Sequence, residues 1–236
     1  MSHLGGVLSQ PAAVLDEPPT CAPAIHSYDR REHDFVTAVS QIFEGAELAR
    51  LGDDRRYDLF DRERDQSTDF HGRFYRNFDA IRPLYHHFVA TVAAGIVGEP
   101  FCVQRVPTFR IHLPSNVAVG EFHTDGDYNH PVGELNFWVP LTRAWESNTI
   151  WIETALRKGD CAPAPRLGPG QFLTFDAVRW RHGNVPNETG STRVSFDFRC
   201  IPLARYAEGD GRSVNTGQRF VIGDYFEVLP STEGSI

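Results

Sequence analysis

Between Cys102 and Pro202 the chain breaks into short runs of Phe, Val, Ile, Thr and Trp separated by clusters of Pro, Gly, Asn and Asp. Short runs of this kind bounded by turn residues read as β-strands. The segments are CVQRVPTFRIHL, VAVGEFHT, GELNFWVPLT, NTIWIETA, QFLTFDA and TRVSFDFRCIP. So many short strands close into a sandwich or barrel.

The residues before this region read differently. Residues 32–51 place Phe35, Val39, Ile42, Phe43 and Ala46 on one helical face, and a second helix is expected over 81–97, with Pro83 in its first turn and Gly98 as its stop. The charged stretch 52–69 reads as a solvated loop. Residues 1–28, rich in Pro, Gly and Ser, read as a loosely ordered arm, and residues 206–236 fit either a final helix or a covering loop. Helices first and strands after them give an α+β, mainly β chain, with N-terminal helices buttressing a β core at 102–202. Without an internal repeat or a composition break, residues 1–236 are expected to form one domain.

Composition narrows the partners. A formal net charge of -8 and a pI near 5.7 disfavour nucleic acid and anionic membrane surfaces. The four cysteines are scattered with no C-x-x-C pair, so reduced thiols in a cytoplasm are expected rather than a zinc knuckle or disulfide framework. No apolar run approaches the roughly 20 residues of a membrane span. The N-terminus has no cationic start followed by an apolar block, as a secretory signal would.

The densest chemistry lies in GEFHTDGDYNH, residues 120–130. In an extended segment, positions i and i+2 share a face, so His123 and Asp125 can converge on one point. His182 lies 57 residues after Asp125, ahead of a Gly-Asn turn, and Arg193 and Ser195 follow in a strongly β-forming run. Two His and one carboxylate form the facial triad of non-haem Fe(II) oxygenases, which leaves three positions open. A 2-oxo acid chelated there would leave a distal carboxylate needing a buried partner, which Arg193 supplies as a planar fork and Ser195 supplements with a hydroxyl.

The order H-x-D, distal His, then R-x-S resembles the Fe(II)/2-oxoglutarate-dependent oxygenase superfamily, whose fold is a double-stranded β-helix, a cupin-like jelly roll. More narrowly, FRIHLPSN, EFHTDGDYNHPVGELNFWVPLT, NTIWIET and HGNVPNETGSTRVSFDFRCIP resemble the streptomycin-cluster-type oxygenases of aminoglycoside-like antibiotic biosynthesis. The resemblance implies Fe(II) on His123, Asp125 and His182, with 2-oxoglutarate on Arg193 and Ser195 and a polar contact from Asn136. O₂ is the further cosubstrate, and the substrate a small polar molecule derived from a sugar, cyclitol or amino acid. An Asp at position 125, where related halogenases carry a small residue, implies hydroxylation, desaturation or cyclisation.

Arg110, Glu121, Asp127, Tyr128, His130 and Trp138 are candidate substrate contacts, set against an exposed turn for the polar residues and core packing for Trp138 and Trp151. Arg193 has its own plainer reading, a strand-edge salt bridge to Asp197 or Glu188. His33, His71, His86, His87 and His112 lack ligand spacing and read as structural or exposed, and Asn129, Asn184 and Asn187 as turn formers. A non-redox, metal-dependent cupin-like isomerase or sugar-binding module would also use His and carboxylate ligands. Such a protein has no need of Arg193 and Ser195 at this offset.

Overall fold

The computed structural model describes residues 21–53, 67–118 and 121–229. Its organising element is β9 (Arg193–Pro202), ten residues long and buried throughout. Along one edge β9 pairs first with β3 (Thr108–His112) and then with β2 (Phe101–Gln104), and along the other with β4 (Leu135–Pro140). The expected single strand CVQRVPTFRIHL is therefore two, parted around Pro107, which has no N–H to give a ladder. β7 (Gln171–Phe175) and the edge strand β1 (Ala24–Ser27) extend the sheet beyond β4, and β10 (Phe226–Glu227) closes it beyond β2. The second, smaller sheet runs β6 (Cys161–Pro163), β5 (Trp151–Glu153), β8 (His182–Gly183).

Period-2 alternation on β9 assigns its two faces. Val194, Phe196 and Phe198 join Phe137 of β4 and Phe172 of β7 in a core with the helices α1 (Phe35–Ile42), α2 (Asp69–Asn77) and α3 (Arg82–Phe88). Phe137 and Phe198 stack at 4.8 Å between ring centroids, and Phe35 meets Phe196 edge-on at 4.9 Å. The opposite parity, Arg193, Ser195, Asp197 and Arg199, supplies the polar interior.

α1 is shorter than the apolar spacing suggests. It starts at Asp34, whose carboxylate accepts from Thr37 N–H, and ends at Phe43 because Glu44 and Gly45 both take left-handed φ values, 60° and 78°. The second expected helix is present. α3 begins at Pro83's turn, continues through a π-helical turn (Val89–Ala93) into α4 (Ala94–Val97), and stops at Gly98, φ 73°.

Two further expectations change, one is decided, and one lies largely outside the described residues. Within the supposed arm, residues 24–27 pair with β7, held by edge hydrogen bonds rather than by an apolar face; residues 1–20 lie outside the described residues. VAVGEFHT forms no strand among its described residues beyond a bridge at His123, because the chain turns at once into a short 3₁₀ turn, Asp125–Tyr128. Most of the charged stretch 52–69 is likewise outside the described residues, and α2 begins where it ends. Residues 206–229 are a covering segment, not a helix, anchored by Phe220, Tyr225 and Phe226 against Cys102 and Ile201. Among the described residues no helix is long and apolar enough to cross a membrane.

Candidate metal centre and adjoining pocket

Three segments bring the triad together. Asp125 opens the 3₁₀ turn, which is fixed by reciprocal bonds between Thr124 and Asp127. His123 and His182 lie side by side in an antiparallel bridge, each backbone N–H donating to the other's carbonyl at 2.9 and 2.8 Å. The Asp125 Oδ1 atom then stands 3.6 Å from His123 Nε2 and 3.5 Å from His182 Nε2, and one ligand atom from each residue lies within 4.8 Å of the others.

Tautomers suit this arrangement. His123 Nδ1 is 2.9 Å from the Glu121 carbonyl and His182 Nδ1 is 3.0 Å from the Trp180 carbonyl, so each Nδ1–H donates outward and each Nε2 lone pair turns inward. Burial, reinforced by the neighbouring His123, pushes His182 down to about 4, so its imidazole is neutral at pH 7. Burial alone would raise the Asp125 carboxyl, but Arg199 foremost, with His130 and the two ligand histidines, holds it well below the usual carboxylate range. Two imidazoles and one carboxylate, all facing one point, fit a divalent first-row ion with positions left open.

Beside the triad lies an open pocket that Arg110, Asn136, Trp138, Asn184, Arg193 and Arg199 help to line. Arg193 is 1% exposed and makes no ion pair among the described residues. Its Nε donates to the Asn148 carbonyl (3.0 Å) and Nη1 to Ser195 Oγ (2.8 Å), Nη2 approaches His112 Nδ1 (3.5 Å), and its plane lies 5.6 Å from the Trp138 ring. The strand-edge salt bridge to Asp197 or Glu188 is absent. Burial, then the nearby Arg110, pushes the guanidinium down to about 9, which still leaves it charged at neutral pH. A sealed cation of this kind calls for an anion.

The remaining candidates divide. Asn136 on β4 faces the pocket, with Oδ1 sealed from water and lacking a hydrogen-bond partner. Arg110 on β3 also lines it and pairs with Asp197 at 3.3 Å. Trp138 serves both as pocket wall and as part of the small-sheet core; Trp151 is on β5 and does not line the pocket. Tyr128 sets its ring edge-on to His123 at 5.0 Å. Asp127 uses its carboxylate on Thr124 N–H at 2.8 Å, and Glu121 offers His123 its backbone carbonyl. His130 bonds to buried Glu134 at 2.9 Å and lies on Phe220 at 4.2 Å, so it belongs to the covering segment's packing.

One residue escaped the sequence reading. Arg199 grips Asp125 Oδ2 through Nε at 3.1 Å and Nη2 at 2.9 Å, and reaches Asp197 at 2.6 Å, so Asp125 keeps Oδ1 for the metal point. The signal was its parity: Arg199 repeats the inward register of Arg193, Ser195 and Asp197. Gly183, next to His182, is equally constrained, since a Cβ there would lie 2.9 Å from the Phe122 ring and 3.1 Å from Phe122 Cα. Gly183→Ala should displace β8 and His182 at a cost of about 1–3 kcal/mol. Thermal unfolding and Mn(II) titration would register this as a lower midpoint and weaker metal binding, and unchanged values in both would refute it.

The fold defines the class: a double-stranded β-helix, or jelly roll, of two antiparallel sheets. AviO1 from Streptomyces viridochromogenes Tue57 superposes with a TM-score of 0.51 at 20% identity, over 86% of this chain and 99% of that one. SnoK, the non-haem alpha-ketoglutarate-dependent carbocyclase from nogalamycin biosynthesis, gives 0.51 at 13% identity over 89% and 93%. No protein-family model matches the chain. The streptomycin biosynthesis protein StrG of Streptomyces griseus is 38% identical over 202 residues, 86% of this chain and 96% of that protein. The chain belongs to the StrG family.

Proposed function

We propose that this chain is a non-haem Fe(II)/2-oxoglutarate-dependent dioxygenase of antibiotic biosynthesis, folded as one domain and working in the cytoplasm. Its substrate is a small polar intermediate derived from a sugar, cyclitol or amino acid, which it hydroxylates, desaturates or cyclises. His123 Nε2, His182 Nε2 and Asp125 Oδ1 hold the Fe(II). Arg193, with Ser195 and Asn136, holds 2-oxoglutarate. Bound together, metal and cosubstrate supply the oxidising chemistry, in which 2-oxoglutarate and O₂ become succinate and CO₂ as the substrate loses hydrogen or gains oxygen.

The observation that carries this reading is Arg193, a buried cation without an internal carboxylate, opening onto the pocket that His123 and His182 also line. A non-redox, metal-dependent isomerase or sugar-binding module has no use for such a group. The neighbour SnoK is itself described as alpha-ketoglutarate-dependent, and the relative StrG, described as a streptomycin biosynthesis protein, supports a role in antibiotic biosynthesis. Trp138 and Ile150 give the pocket dry walls, while Arg110 and Asn184 offer hydrogen bonds to a polar substrate.

The test is direct. Protein mixed anaerobically with Fe(II) and 2-oxoglutarate should develop the weak visible charge-transfer band of the chelate, and admitting O₂ should release succinate even without the true substrate. Neither band nor succinate would sink the proposal.

A further inference from the structure

Arginine presents five N–H groups in a planar fork. In Arg193 three of them point at uncharged acceptors: Nε at the Asn148 carbonyl, one Nη1 hydrogen at Ser195 Oγ, one Nη2 hydrogen at His112 Nδ1. Five less three leaves two, one on each terminal nitrogen. One remaining N–H on each terminal nitrogen matches the two oxygens of a carboxylate.

Whether His112 accepts from Arg193 is decided by its tautomer. His112 Nε2 lies 2.8 Å from the Asn116 carbonyl, a separation that requires Nε2 to carry the proton, since two lone pairs would repel there. Nδ1 is therefore bare. Near Nδ1 stand the Asn148 carbonyl at 3.4 Å, itself an acceptor, and Arg193 Nη2 at 3.5 Å, a donor. A second proton on the ring is disfavoured, because burial and then the Arg193 charge push His112 down to about 3. The ring is also fixed in place: His112 is fully buried, is the cross-strand partner of Arg193, and its carbonyl accepts from Asn187 Nδ2 at 3.0 Å.

We infer that His112 is a positioning residue for the cosubstrate, its bare Nδ1 setting the roll of the Arg193 guanidinium so that the two remaining N–H groups meet a distal carboxylate. This rests on the reading of Arg193 as the carboxylate partner. His112 thereby acts as a determinant of cosubstrate choice, favouring a 2-oxo diacid over a 2-oxo monoacid of equal length.

The experiment is calorimetric titration of the Mn(II)-loaded, full-length protein with 2-oxoglutarate and with 2-oxopentanoate, which has the same five carbons but no distal carboxylate. Wild type should prefer the diacid strongly. His112→Gln, whose amide nitrogen can reach the Asn116 carbonyl but which sets no acceptor at the Nδ1 position, should lose about ten- to hundredfold in 2-oxoglutarate affinity and nothing for 2-oxopentanoate. His112→Asn, with Oδ1 near the Nδ1 position, should recover most of the preference. A wild type that does not discriminate overturns the Arg193 reading itself. A discriminating wild type with a His112→Gln protein that keeps the full preference, or weakens for both acids equally, overturns the role of His112 alone. Should His112→Gln not fold, His112→Asn decides, because a folded Asn variant without the preference also overturns it.

Discussion

Replacing Arg193 by alanine is expected to raise the Michaelis constant for 2-oxoglutarate by about thirtyfold to several thousandfold, with the metal site left intact. Removing one partner of a buried, hydrogen-bonded charge pair costs about 2–5 kcal/mol, and each 1.4 kcal/mol is a factor of about ten. The upper part of the range applies where the carboxylate is sealed from water, and Arg193 at 1% exposure sits in that regime. Arg193→Lys keeps the charge but replaces a planar fork by a point charge, so it should recover only part of the loss. The free protein should behave oppositely. Without ligand the wild type holds an unpaired buried cation, so Arg193→Ala should not lower its thermal midpoint, while 2-oxoglutarate should stabilise the wild type alone. Initial rates of succinate release, read against Mn(II) affinity as the control, separate the two sites. An unchanged Michaelis constant would contradict the assignment of Arg193.

What could be read from sequence and what could not follow from the range of each interaction. The inward face of β9 was legible because a period of 2 is local, and Arg193 and Ser195 announce themselves in TRVS. His123 and Asp125 were legible in the same way, though the extended segment expected around them is a bridge and a turn. The helix over 81–97 carried its own start and stop in Pro83 and Gly98. The edge strand at 24–27 carried none, since its partner β7 lies about 150 residues away and its contacts are backbone hydrogen bonds. His112 read as structural or exposed for a related reason: its approach to Arg193 runs across a strand pair that spacing alone does not reveal. The same holds for Arg199, whose partner Asp125 is 74 residues distant.

Arg199→Met should therefore be the substitution most damaging to metal binding among residues that do not themselves face the metal point as ligands. The wild-type arginine satisfies Asp125 Oδ2 with two N–H groups and also bonds Asp197, so its loss leaves Asp125 buried with no cation on that oxygen. Breaking a buried pair on one side costs about 3–5 kcal/mol. Asp197 suffers less, because Arg110 remains beside it. The sign of the pH dependence follows. In the wild type the Asp125 carboxyl is held below its ordinary value, which adds stability above about pH 4 that is lost as pH falls through the lowered value. In Arg199→Met the burial that raises this carboxyl is no longer opposed by its strongest neighbour, so protons compete with the metal well above pH 4. Mn(II) affinity should fall by about ten- to hundredfold at pH 8, as for other residues that orient a ligand, and the deficit should widen at pH 6. A deficit that stays constant between the two pH values would show that Arg199 only fills space; one that grows as protons are added ties it to the charge on Asp125.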